Sequence, residues 1–143
     1  MAKIPDDRFY SEQHLWIKKE RKDLAKIGIT EYYTLKNEEI LDIELPTEEE
    51  EFEKGEIFGS IETTEQLYDL IAPVSGKVIA VNEKILDDVE ILNEDPYNEG
   101  WLLKIKMFSP EELDELLPAE DYEIKLMEEL DESISERFLE EEE

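Results

Sequence analysis

The chain has 143 residues, 40% of them hydrophobic, which suits one domain with its own core and argues against global disorder. Its 42 Asp and Glu stand against 15 Lys and Arg, a formal net charge of -27; that field repels phosphate backbones and anionic lipid, so neither nucleic acid nor membrane is an expected partner. Cysteine is absent, which removes disulfides, thiolate zinc sites and thiol nucleophiles.

Residues 9–29 read as a hairpin. "FYSEQHLWIKKE" is aromatic and aliphatic enough for a strand, the charged "KKERKD" makes the turn, and "LAKIGIT" returns. His14, the one histidine, falls inside the first of these strands and reads as a half-buried strand residue rather than a base. In "TEYYTLKNEEI", Thr30 is placed to cap a short helix. "ILDIELP" alternates Leu41, Ile43 and Leu45 against Asp42 and Glu44, a period of two that predicts a strand with one buried face, ended by Pro46.

"TEEEEFEKGE" reads as a solvated acidic loop. The β-branched, Gly-punctuated stretches "EIFGSIET", "LYDLIAPVSG" and "KVIAVNEKI" predict further short strands. "NEDPYNEGWLLKIK" reads as a loop entering a strand, with Trp16 and Trp101 both packing residues. From Ser109 the pattern becomes helical: a Ser cap, Pro110 at the first position and Glu112 three residues after the cap, then Leu113, Leu116 and Leu117. Pro118 breaks that helix, and a second runs over 122–130. Ile134, Phe138 and Leu139 extend its apolar stripe, and the final "EEEE" is expected to fray.

The predicted class is mostly β with C-terminal helices. No P-loop, GxGxxG or calcium-loop pattern is present, and among 42 acids no dyad stands out, so a self-sufficient enzyme is not expected. No apolar run approaches a membrane span, and the opening "MAKIPDDRFYSEQHLW" lacks the plan of a signal peptide, which makes the cytoplasm the expected compartment.

Five segments in order resemble the glycine cleavage system H protein family: "YSEQHLW", "IGITEY", "DIELP", "APVSGKVIAVN" and "NEDPYNEGWLLKIK". The helical "SPEELDELLPAEDYE" is similar to the family's C-terminal end. The resemblance implies an H-protein-like domain over 1–130 and an acidic extension over 131–143. It also implies a barrel-sandwich hybrid of the lipoyl/biotinyl type, in which a lysine at a hairpin apex carries lipoate on an amide and shuttles an aminomethyl group between glycine-cleavage enzymes.

Within "IETTEQLYDLIAP" the family's lysine position is occupied by Glu65, with Glu62, Asp69, Ala72 and Pro73 on their counterparts without a gap. Thr63 and Thr64 precede Glu65, and Gln66, Leu67 and Tyr68 stand where the family has mostly small residues. The family's opening H-E-W becomes His14-Leu15-Trp16, so Leu15 replaces a glutamate that the resemblance assigns to the amino end of the loaded arm. His14, Leu15, Thr30 and Asp69 are therefore the groove-equivalent positions, and no cofactor or metal is expected. Lipoate would need an unexpected amine, Lys54 or Lys77. The expected role is a non-catalytic binding module for glycine-cleavage or lipoate-handling proteins, monomeric when free; the alternative is a working aminomethyl/lipoyl carrier.

Overall fold

The computed structural model describes residues 4–142, with side chains described through residue 130. Among the described residues, nine strands form two sheets. The larger is ordered β1-β2-β3-β9-β8-β5 and comprises β1 (Phe9–Tyr10), β2 (Leu15–Lys19), β3 (Leu24–Ile29), β9 (Leu103–Met107), β8 (Gly76–Val81) and β5 (Glu51–Phe52). The smaller is ordered β4-β6-β7 and comprises β4 (Ile40–Glu44), β6 (Ile57–Thr63) and β7 (Leu67–Ile71). All pairings are antiparallel.

Alternation along the strands builds the core. Ile17, Ala25, Ile27, Ile105 and Val78 point inward from the large sheet and meet Ile43, Ile61 and Leu70 of the small one, all nearly or fully buried. A second cluster lies on the other side of the large sheet, where Trp16, Tyr10 and Tyr97 pack against Tyr122 and Leu126 of α4 (Ala119–Glu142). Gly28 exists for this contact: a Cβ there would lie 2.3 Å from the Trp16 ring.

Several sequence expectations are corrected. The first predicted strand breaks at Ser11, and His14 sits in a turn with φ 69°, not inside a strand. A register shift between Ile40 and Asp42 turns Leu41 outward, 46% exposed, and puts Ile40 in the core with Ile43; a bulge breaks the two-residue period there. The acidic loop contains β5, whose Phe52 is buried and pairs with Gly76.

Two five-residue helices, α2 (Glu83–Asp87) and α3 (Glu90–Glu94), carry no sequence-level periodicity and were not expected. Asn82 caps α2 by accepting from the Lys84 N–H, and its amide donates to the Glu99 and Trp101 carbonyls. Trp16 is buried as expected, while Trp101 is half-buried ahead of β9.

The predicted helix after Ser109 is a 3-10 segment (Pro110–Glu115), and the Ser109 side chain caps nothing. Glu112 turns away from Ser109 and accepts from the Ser75 N–H at 2.8 Å. After Pro118, whose carbonyl accepts from the Tyr122 N–H, α4 begins at Ala119. Its backbone is helical through Glu142, and Glu143, the last residue of the run expected to fray, lies outside the described residues. The expected stripe residues Ile134, Phe138 and Leu139 lie outside the described side chains.

Candidate functional site

The β6–β7 hairpin presents Thr64, Glu65 and Gln66 at its apex, all exposed. The turn is held from within. The Thr63 hydroxyl oxygen accepts from the Glu65 and Gln66 N–H groups, both at 3.2 Å, and the Thr63 N–H donates to the Gln66 carbonyl at 2.9 Å. A Ser or Thr hydroxyl often organises a turn in this way. The apex is also tied to the segment before β4, through Thr64 N–H to the Glu39 carbonyl at 3.0 Å and Glu39 N–H to Thr64 Oγ1 at 3.3 Å.

Beneath the apex lies Glu38, 4% exposed. Its carboxylate accepts from the Thr63 hydroxyl at 2.8 Å and from the Tyr68 hydroxyl at 2.7 and 2.8 Å. The Lys36 ammonium lies 3.3 Å away and donates to the Tyr32 hydroxyl at 3.2 Å. Burial pushes the Glu38 carboxyl up, but the hydrogen bonds from Tyr68, Thr63 and Lys36 outweigh it and hold the group below its ordinary range. Burial pulls Lys36 down, and Tyr32 and Glu38 more than offset that, so the ammonium stays charged. Tyr68 is pushed up, by burial first and by the carboxylate it bonds.

The predicted groove positions separate. His14 and Thr30 come together on one phenol: Tyr122 Oη lies 2.8 Å from His14 Nδ1 and 2.7 Å from Thr30 Oγ1. The other imidazole nitrogen, Nε2, is 2.9 Å from the Glu129 carboxylate, and the ring stacks on Tyr32 with centroids 3.6 Å apart. Burial, reinforced by Lys36 and Lys125, pushes His14 down to about 4, so the ring is neutral at pH 7. A carboxylate only accepts, so the one ring proton sits on Nε2. Nδ1 then accepts from Tyr122, which in turn accepts from Thr30. Thr30 also takes the Tyr32 N–H at 3.3 Å, but the N-cap position of α1 (Tyr32–Leu35) is Glu31 and not Thr30 as expected.

Leu15 is 1% exposed and belongs to the inter-sheet core. Asp69 is exposed on β7, paired in register with Ser60, and among the described residues its side chain forms no hydrogen bond or ion pair. Sequence reasoning missed Glu38, Lys36 and Tyr122. The one available signal was Tyr68, a large phenol where small residues were expected.

Residues 8–129 match the family model described as glycine cleavage H-protein. The chain belongs to that family. It is 44% identical over 129 residues to the glycine cleavage system H protein of Carboxydothermus hydrogenoformans, covering 90% of this chain and 98% of that one. It is 47% identical over 113 residues to the Synechococcus H protein, covering 79% and 87%. The crystal structure of an H protein from Mycobacterium marinum superposes with a TM-score of 0.75 at 33% identity, over 83% of this chain and 95% of that one. The two-sheet arrangement with a C-terminal helix is thus the family's barrel-sandwich fold.

Proposed function

We propose that this member of the H-protein family carries no lipoyl arm and works as a binding module for proteins of the glycine-cleavage or lipoate-handling type. The observation that carries the reading is Glu65 at the exposed apex of the hairpin. A stable lipoyl linkage needs an amine nucleophile, since acylating a carboxylate gives an anhydride that water opens. The residues present do not fit the group.

The amines considered as substitutes are engaged away from the apex. Lys54 pairs with Glu115, and its backbone N–H donates to Ser75 Oγ. Lys77 pairs with Glu49 at 2.9 Å. Lys36 lies under the hairpin, but its charge is committed to Glu38 and Tyr32. Leu15 supports the same reading, because an aliphatic core residue cannot pair with the ammonium of a loaded arm.

Intact mass of the protein isolated from its own source tests this. The unmodified mass is expected. A lipoyl adduct mapped to Lys54 or Lys77 would replace the proposal with a working carrier.

A further inference from the structure

We propose that the outer face of the six-stranded sheet docks an acidic segment of a partner protein. The register places Lys18, Lys26 and Lys104 directly opposite one another across β2, β3 and β9. In the next row Lys106 of β9 lies opposite Lys77 of β8. All five share the face opposite the core residues Ile17, Ala25, Ile27, Ile105 and Val78. A third of the chain's 15 cations therefore lie on one sheet face. Like charges directly opposite on neighbouring strands destabilise a sheet, so folding alone gives no reason for the arrangement.

Acids outnumber bases 42 to 15, yet among the described residues the carboxylates that reach this face do so at its rim. Asp7 pairs with Lys18 at 3.3 Å, Glu20 with Lys26 at 3.7 Å and Glu49 with Lys77 at 2.9 Å. Glu51 stands opposite Lys77 on the edge strand. In the centre, Lys104 lies over the Trp101 ring, 5.4 Å from its centroid, and among the described residues pairs with no carboxylate. Lys106 is exposed and, among the described residues, pairs with no carboxylate.

The chemistry selects an acidic polypeptide. Strands lie about 4.8 Å apart, so the row of three lysines spans roughly 10 Å, and carboxylates three or four residues apart on a helix stand about 5–6 Å apart. Leu24, opposite Lys106, and Ile79, 40% exposed at the bulge in β8, add apolar contact beside the ammonium groups. A nucleic acid presents a continuous line of phosphates to a molecule of net charge -27, and a second copy brings the same charge; both are disfavoured beyond the patch itself.

The test uses the full-length chain, isotopically labelled, titrated with a synthetic glutamate-rich peptide bearing leucines at helical spacing and, separately, with an oligothymidylate. The peptide is expected to shift amides on β3, β8 and β9. Lys104→Glu/Lys106→Glu is expected to weaken it by about tenfold or more, whereas Lys84→Glu on α2 has less than about a twofold effect. Lys104→Gln/Lys106→Gln is measured beside these, with weaker binding and an unchanged or raised melting temperature expected.

Four outcomes overturn the proposal. The peptide shifts nothing or shifts another face; Lys84→Glu weakens it equally; the oligonucleotide or self-association occupies the face instead; or the Gln pair lowers the melting temperature, which makes the lysines structural.

Discussion

Replacing Glu38 by Ala tests the network under the hairpin. The substitution removes the acceptor of two hydroxyl bonds, Thr63 at 2.8 Å and Tyr68 at 2.7 Å, and the partner of Lys36 at 3.3 Å. A hydrogen bond to a charged group is worth about 1.5–3 kcal/mol. The Tyr68 hydroxyl and the Lys36 ammonium are near enough to solvent to recover water, whereas Thr63, 4% exposed, is less so. A loss of about 2–4 kcal/mol is therefore expected for Glu38→Ala, and about 1–2 kcal/mol for Glu38→Gln, which keeps one acceptor oxygen.

The pH dependence carries a sign. Glu38 is held below its ordinary value of 4.5 when folded, so its contribution is present above that value and fades as pH falls through the depressed one. The gap between wild type and Glu38→Gln should narrow in acid. Urea unfolding at pH 7 and pH 4, with hydrogen exchange at Glu65 and Gln66, measures both effects. A cost below about 0.5 kcal/mol for Glu38→Ala, the range of an ordinary surface substitution, with exchange unchanged at the apex, would refute the claim that Glu38 holds the hairpin.

Gly28→Ala places a methyl 2.3 Å from Trp16, whose indole N–H is fixed to the Pro96 carbonyl at 3.0 Å; a loss of about 2–3 kcal/mol in thermal or urea unfolding is expected. Tyr122→Phe deprives His14 and Thr30 of their shared partner and should cost about 1–2 kcal/mol in urea unfolding. Because His14 falls to about 4 in the folded chain from an ordinary 6.5, the unfolded state binds more protons between those values, and stability falls as pH drops through that window. The difference from His14→Gln reports it, at no more than about 3 kcal/mol, since Glu129 favours the imidazolium and reduces the loss. Glu65→Lys, treated with a lipoate–protein ligase, is expected to gain one lipoyl mass; failure would place the block in the bulk of Gln66, Leu67 and Tyr68.

Where the core depends on local pattern, the sequence was readable. The short strands β3, β8 and β9, and the stop at Pro118, are short-range facts. Leu41 defeated the same reasoning, because a bulge changes which residues face inward without changing composition. The helix expected after Ser109 failed for a related reason: the capping-box glutamate, Glu112, is recruited by Ser75, 37 residues away in sequence. At the hairpin, the resemblance draws attention to Glu65, but nothing in the sequence draws attention to Glu38. Its partners Thr63 and Tyr68 lie 25 and 30 residues away, and in "KNEEI" nothing separates it from the exposed Glu39 beside it.

These contacts bear on whether the hairpin has decayed or been rebuilt. Decay predicts orphaned polar groups, which are costly in a part-buried setting, and among the described residues no buried side-chain nitrogen or oxygen lacks a partner. Thr63 and Tyr68 do the binding instead. The Tyr68 hydroxyl reaches Glu38, and the Thr63 oxygen serves Glu65, Gln66 and Glu38 together. A hairpin bonded so closely to the segment between α1 and β4 presents Glu65 in a fixed position. Charge is divided in the same spirit: β4, β6 and β7 contain no Lys or Arg, while the opposite sheet carries the lysine rows. A partner that reads both signs is oriented before it touches the apex, since complementary fields set approach and register more than affinity.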